Sequence, residues 1–313
     1  MMAEKMSRKW TAGDIPAQKG RSVVITGTGG IGYETALALT RAGAEVIMAG
    51  RNQEKGEEAL KRIRSMKPAG EIRFERLDLA DLDSIQAFGE RIRAQRQSLD
   101  VLINNAAVMN PPQRRVTKDG FELQMGTNYL GHFALTAGLL PLLLKASKPR
   151  VVTLSSIAHR SGAIHFDDLQ WEHSYKPMPA YAQSKLACLM FALELQRRSD
   201  AAGWGITSMG AHPGISRTEL IPNGAGWNSP AGIVRRVLGP VFFQPAAHGA
   251  WPSLYAATAE EATGGTYYGP SRINEMRGYP TVAKMAPQAT DVKAAARLWR
   301  ASEKLTNVKF IEA

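Results

Sequence analysis

The sequence predicts a single α/β domain over residues 21–313, built on a doubly wound parallel sheet of about seven strands with helices on both faces. Three observations carry this. Short apolar runs alternate with longer amphipathic stretches, the pattern of a parallel sheet whose crossovers are helices. The first run, at 22–25, leads through a glycine-rich loop directly into an Ala/Leu-rich stretch, giving the order strand, loop, helix. A chain of 313 residues that is 44% hydrophobic and 21% charged suits one large packed domain and not a disordered one.

Residues 1–20 are polar and basic and lack the apolar run of a signal peptide, so they are expected to form an unstructured or surface-packed arm. After the strand at 22–25 comes Thr26-Gly27-Thr28-Gly29-Gly30-Ile31-Gly32. Gly27, Gly29 and Gly32 satisfy G-x-G-x-x-G in the setting that gives this pattern meaning. Glycine permits the tight turn and lets backbone N–H groups approach a pyrophosphate at the positive helix N-terminus. The helix at 33–42 is closed by Gly43.

The second strand, 45–49, ends at Gly50-Arg51-Asn52. A site for NAD would place a carboxylate here to bind the ribose 2′-hydroxyl. Glycine instead leaves room for a 2′-phosphate, and a guanidinium can grip it with two hydrogen bonds. NADP is therefore favoured, against the alternative that Arg51 is only a surface residue.

The alternation then continues with a helix at 53–66, a strand at 72–77, a helix at 82–97 and a strand at 100–103. Asp78 could accept a hydrogen bond from adenine, or act as an acid near a helix N-terminus. The fourth strand runs into Asn104-Asn105-Ala106-Ala107, small and amide residues where a cofactor would cross. A long helical stretch at 121–145 contains Asn128, unfavourable in mid-helix unless its side chain has an interior partner. A buried strand at 150–154 ends in Ser155-Ser156, and a helix at 181–198 follows the segment 159–178. Next come a strand at 206–211 and His212-Pro213-Gly214.

The stretch 222–245 is rich in Gly and Pro yet carries Trp227, Phe242 and Phe243, so residues 215–245 are expected to cap a hydrophobic pocket. A helix at 246–257, a strand near 266–268 and a helix around 291–305 complete the chain.

Composition removes several classes of function. The lone Cys188 excludes a disulfide framework, suggests a reducing compartment and reads as a small buried helix residue. The longest apolar run, 133–144, is too short to span a membrane and contains Pro141. A soluble, cytoplasmic protein is expected. The net charge of +11 is scattered over helix faces without aromatic interleaving, which points to an anionic small molecule and away from nucleic acid.

Tyr181-Ala182-Gln183-Ser184-Lys185 holds the acid-base chemistry. Residues four apart on a helix share a face, so a phenol and an ammonium stand together. A free phenol has a pKa of about 10, and bringing it near 7 takes roughly 4 kcal/mol of differential stabilisation, which a nearby cation in a partly dry site can supply. Alone, the spacing describes any solvated helix face.

In order, Thr26-Gly27 with the glycines, Asn104-Asn105-Ala106, Asn128, Ser156, Tyr181-x-x-x-Lys185 and Pro213-Gly214 resemble the short-chain dehydrogenase/reductase family over about residues 20–270. The wording of residues 32–36, 128–133 and 212–218 is similar to its retinol-dehydrogenase-like, or carbonyl reductase, branch. The resemblance implies a Rossmann-type fold and an NADP(H)-dependent oxidoreductase that moves hydride between nicotinamide and a carbonyl or secondary alcohol. Hydrophobic or bulky ketones or aldehydes are the expected substrates, with retinoid-like or steroid-like alcohols as the alternative.

By resemblance, Tyr181 is the catalytic acid or base and Ser156 hydrogen-bonds the same substrate oxygen. Lys185 binds the nicotinamide ribose and lowers the Tyr181 pKa, while Asn128 holds a water that links Lys185 to solvent. Implied cofactor contacts are Thr26, Gly27, Gly29, Gly30, Ile31 and Gly32, then Arg51, Asn52, Asp78, Leu79, Asn105 and Ala106. Tyr181, Lys185, Pro213, Gly214, Ile215 and Thr218 complete them. Dimers or tetramers are common in the family, which leaves a homo-dimer or tetramer open, since the extra segment before Tyr181 could block one interface.

Two departures stand out. The glycine loop is one residue tighter than the family pattern, and Ser156 lies 25 positions before Tyr181. The extra segment 159–178 is expected to wall the pocket. Its His165, Asp167, Asp168, Glu172 and His173 lack helical His-x-x-x-His spacing, and no metal is expected. No G-x-S-x-G elbow or G-x-x-x-x-G-K-[ST] loop is present, which leaves one rival of another class: a non-catalytic NADP-binding regulatory or scaffold protein.

Overall fold

The computed structural model describes residues 9–215 and 244–310. The expected cap, including Thr218, thus lies almost wholly outside the described residues.

Three strand–helix units and a fourth strand come first: β1 (Ser22–Thr26), α1 (Gly30–Arg41), β2 (Glu45–Gly50), α2 (Gln53–Ser65), β3 (Glu71–Arg76), α3 (Leu82–Gln95) and β4 (Val101–Asn104). A helical rod follows, made of Leu123–Met125, a π turn at Gly126–Leu130 and α4 (Gly131–Leu143). β5 (Arg150–Leu154) precedes a 3-10 turn at Ile157–Ser161 and the long α5 (Pro177–Ala202). β6 (Thr207–Ala211), the short helix Ala246–Gly249 and α6 (Trp251–Thr258) come next. A hairpin of β7 (Tyr267–Arg272) and β8 (Arg277–Val282) and a final α7 (Val292–Thr306) end the described chain.

The strands lie in the order β3-β2-β1-β4-β5-β6-β7-β8, parallel except for the antiparallel β7–β8 pair. The order turns back between β1 and β4, and their carboxyl ends open the crevice in which such sheets hold ligands. Among the described residues eight strands stand where about seven are expected from sequence. β8 is the one not foreseen, because Gly278 and Pro280 break any strand signal, and only an edge position tolerates such a proline.

Both faces of the sheet are buried, so its central strands are apolar throughout and do not alternate. Val24, Ile47, Leu102 and Val151 pack with Phe133, Phe191 and Trp299 on one face. Val23, Ile25, Val46, Met48 and Ile103 pack with Leu39, Ile63 and Tyr255 on the other. Each such side chain contributes roughly 1.5–3 kcal/mol by leaving water.

Residues 9–20 are docked. Trp10 meets Tyr255 edge-on at 5.4 Å, and the buried Gln18 donates its backbone N–H to Ala42. The extra segment 159–178 packs on α5 and the final helix: Gln183 Oε1 accepts from His165 N at 2.9 Å, and Arg297 lies 4.0 Å over the Phe166 ring. No helix among the described residues is long and apolar enough to cross a membrane.

Candidate active site

β1 delivers the chain into the glycine loop, where the packing leaves no room for a side chain at Gly27 or Gly32. Gly27 has φ +96°, and a Cβ on it would lie 2.9 Å from Asn105 Nδ2. A Cβ on Gly32 would meet the Gly27 carbonyl oxygen at 2.5 Å. Gly29 stands at the N-cap of α1 without a side chain to satisfy the helix's free N–H groups, which therefore face the crevice.

Thr26 fastens this loop to the end of β4. Its Oγ1 accepts from the backbone N–H groups of Asn105 and Ala106, both at 2.9 Å, and Asn105 Nδ2 donates to the Thr26 carbonyl at 2.7 Å. The Thr26 hydroxyl also meets His132 Nε2 at 2.9 Å, while His132 Nδ1 lies 2.9 Å from the Asn128 carbonyl. Because a carbonyl can only accept, Nδ1 carries the ring proton and Nε2 accepts from Thr26. Burial pushes the His132 pKa down to about 4, so the ring is neutral.

A cleft of about 640 Å³ starts at Gly27, Gly29, Gly30 and Ile31, passes Arg51, Asn105 and Ala106, and reaches Tyr181, Lys185 and Pro213. Arg51, Arg115 and Lys185 border it, and no carboxylate does among the described lining residues. Val108, Met109, Pro111, Pro112, Leu123 and Leu154 make the rest of its wall largely apolar. The close-packed glycines, the free helix N-terminus and the surplus of cations fit an anionic dinucleotide.

Tyr181 sits one turn inside α5, which Pro177 opens; the phenol is not at the helix start as the sequence suggests. Lys185 Nζ is 6.0 Å from the Tyr181 ring centroid and donates to the Leu154 carbonyl at 2.9 Å. One of three ammonium donors is thereby fixed, and two remain for the cleft.

The paired serines differ in their commitments. Ser155 borders the cleft, but its buried hydroxyl donates to the Lys185 carbonyl at 2.7 Å. Ser156 is half-buried; its Oγ accepts from Ala158 N at 3.2 Å as the cap of the 3-10 turn, which leaves the hydroxyl proton to donate.

Asn128 is wholly buried in the π turn, and its side chain has the interior partners that its position demands. Oδ1 accepts from Val108 N at 2.8 Å, while Nδ2 donates to the Val108 carbonyl at 3.0 Å and to Ser184 Oγ at 2.9 Å. It thus staples the loop after β4 to α5. Cys188, also buried, donates to the Asn128 carbonyl at 3.1 Å, and burial raises its thiol pKa.

Other expected contacts are structural in their visible bonds. Asn52 caps α2 by accepting from Lys55 N, and Asp78 accepts from Ala80 N, each in a local turn. Leu79 is buried in the core. Neither these three nor Gly214, Ile215, Asn128 and Ser156 are among the residues bordering the cleft, and none of residues 159–178 is. The acids and histidines of that segment do not cluster: among the described residues no group of three or more His, Cys, Asp or Glu side chains could hold a metal.

His132 is the residue that reading for chemistry passes over. Its signal is a single imidazole in an apolar helix four positions after Asn128, a spacing that brings it back over the Asn128 carbonyl.

Residues 21–227 match the sequence profile of the short chain dehydrogenase family. The chain is 41% identical over 296 residues to mouse (Mus musculus) retinol dehydrogenase 13, covering 92% of this chain and 84% of that one. It is 40% identical over 299 residues to mouse polyprenol dehydrogenase, covering 93% and 85%. Among solved structures, an uncharacterised protein from Mycobacterium paratuberculosis superposes with a TM-score of 0.81 at 41% identity, covering 97% of this chain and all of the other. Fold, cleft and sequence agree: the chain is an oxidoreductase that belongs to the short-chain dehydrogenase/reductase family, whose members work with a nicotinamide cofactor.

Proposed function

We propose that the protein is an NADP(H)-dependent carbonyl reductase, or alcohol dehydrogenase in reverse, acting on hydrophobic or bulky ketones or aldehydes. The observation that carries this reading is one continuous cleft with a glycine cradle and Arg51 at one end and Tyr181 with Lys185 at the other. Its apolar wall of Val108, Met109, Pro111 and Pro112 suits a bulky apolar substrate, and retinol and polyprenol dehydrogenases as relatives favour long-chain alcohols and their aldehydes.

A bound nicotinamide supplies the two-electron hydride chemistry; the chain supplies orientation and a proton. Tyr181 donates its phenolic proton to the substrate oxygen during reduction and takes it back in the reverse direction. Ser156 donates a hydrogen bond to that oxygen. Lys185, held by the Leu154 carbonyl, stands beside the phenol and offers its remaining donors to the cofactor ribose. Asn128 keeps the loop after β4 and α5 in register.

Tyr181→Phe keeps the ring and removes the proton. Turnover is expected to fall on the order of 1000-fold, as for loss of a general acid, with NADPH binding retained by fluorescence titration. Near-normal turnover would reject the mechanism, and NADPH binding without oxidation across a broad carbonyl panel by the native protein would favour a scaffold.

Cofactor choice is tested separately. Arg51 is exposed at the cleft edge, and a guanidinium there suits a 2′-phosphate. Arg51→Ala is expected to raise the Michaelis constant for NADPH about tenfold, the worth of a charged hydrogen bond, and to leave that for NADH unchanged. An unaltered NADPH constant excludes the assignment.

A further inference from the structure

Behind the Tyr181 end of the cleft, the turn of the β7–β8 hairpin carries Ile273, Asn274 and Glu275 with φ of +49°, +49° and +65°. Non-glycine residues are uncommon in this region, β-branched ones most of all, and such a turn persists only where other contacts fix it. Glu275 supplies those contacts. Its Oε1 accepts from Lys284 N at 2.9 Å, and its Oε2 accepts from Arg160 Nη2 at 2.6 Å and from His212 Nε2 at 3.1 Å.

Both partners of Oε2 lead to the site. His212 is fully buried, and its Nδ1 accepts from Gly214 N at 3.2 Å, so Nε2 bears the proton given to Glu275. Arg160 stands in the 3-10 turn that Ser156 caps, and the adjacent His159 donates from Nδ1 to the Ser156 carbonyl at 2.6 Å while accepting from Ala286 N at Nε2. The residue after Glu275 adds a third tie: the Met276 carbonyl accepts from Ile215 N at 2.8 Å. One carboxylate therefore joins the Ser156 turn and the 212–215 run to a single hairpin.

We propose that Glu275 is a positioning residue for the nicotinamide end of the cleft, holding Pro213–Ile215 and the Ser156 turn at a fixed separation. The inference rests on the NADP reading above. Phosphates are drawn to the glycine loop and Arg51, so an extended dinucleotide must bring its reacting ring to the far end, where Pro213, Ser155 and Tyr181 border the cleft. A wall misplaced there by even 1 Å costs turnover on the order of 100-fold, without touching the adenosine end.

Glu275→Gln keeps the size of the side chain and loses the charge that holds Arg160. Binding of NADPH and of adenosine 2′,5′-bisphosphate, which contains only the adenine half, is measured by calorimetry beside kcat and the melting temperature. The expected result is NADPH binding about tenfold weaker, kcat down on the order of 100-fold, adenosine bisphosphate binding unchanged, and partial recovery in Glu275→Asp. Native binding of both ligands and native kcat in Glu275→Gln overturn the inference. So does equal loss of both ligands or of the fold, which makes Glu275 a stability residue only. Failure of the native protein to bind either ligand would instead reject the NADP reading itself.

Discussion

The two adjacent serines differ in where each hydroxyl proton already goes, and the reading proposed above gives the substrate oxygen to Ser156. Ser155 spends its proton on the Lys185 carbonyl, and Ser156 does not spend its own. Ser156→Ala is therefore expected to lower kcat on the order of 100-fold, the loss typical of one donor to a developing oxyanion, with about 1 kcal/mol of stability lost with the cap. Ser155→Ala is expected to cost about 1 kcal/mol of stability for one lost buried hydrogen bond, with the smaller effect on kcat. Steady-state kinetics beside thermal melts separate the two, and the reverse ranking would move the role to Ser155. At this scale the sequence singles out residues whose type carries chemistry, such as Tyr181, Lys185 and Arg51, and all three border the cleft. It is read poorly where a polar side chain is buried for its neighbours' sake: nothing local tells that His132 serves Thr26 and Asn128, since its two bonds join β1 to the π turn.

At the scale of elements, strands and glycine turns are legible because their signals are local. The run at 22–25 followed by three glycines becomes β1, a loop and α1 within a few residues of where the pattern places them. Boundaries that depend on tertiary partners are not legible in this way. α5 begins four residues before Tyr181 because Pro177 is a favoured first-turn residue. The expected helix around Asn128 is interrupted by a π turn, within which that side chain makes three hydrogen bonds to residues distant in sequence. β8 exists because β7 needs an edge partner, not because its own sequence favours extension.

Across the whole molecule, three buried histidines give stability a pH dependence. Burial lowers the pKa of His132 to about 4, and it depresses His159 and His212 as well. A histidine whose folded pKa lies below its unfolded 6.5 binds protons more readily when unfolded, so stability is full above 6.5 and falls as pH drops towards the folded value. His132 alone is expected to remove about 2 kcal/mol between pH 7 and pH 5, above the range in which ordinary carboxylates titrate. Urea midpoints over that interval check this; a flat profile would mean that the imidazoles take up protons in the folded state. The net charge of +11 acts in the same direction, since each added proton increases self-repulsion.

Gln244 has a consequence of another kind. Fully buried, it donates its backbone N–H to the Ile215 carbonyl at 3.0 Å and its Nε2 to the Pro213 carbonyl at 2.7 Å, while its Oε1 accepts from Gly278 N. The points at which the chain leaves the sheet and returns are thus bonded to each other and to the hairpin by groups outside the intervening sequence. Pro213 and Ile215, at the far end of the cleft, therefore take their positions from the sheet edge: a side chain about thirty residues further along the chain and the backbone of the hairpin hold them, and not β6 alone.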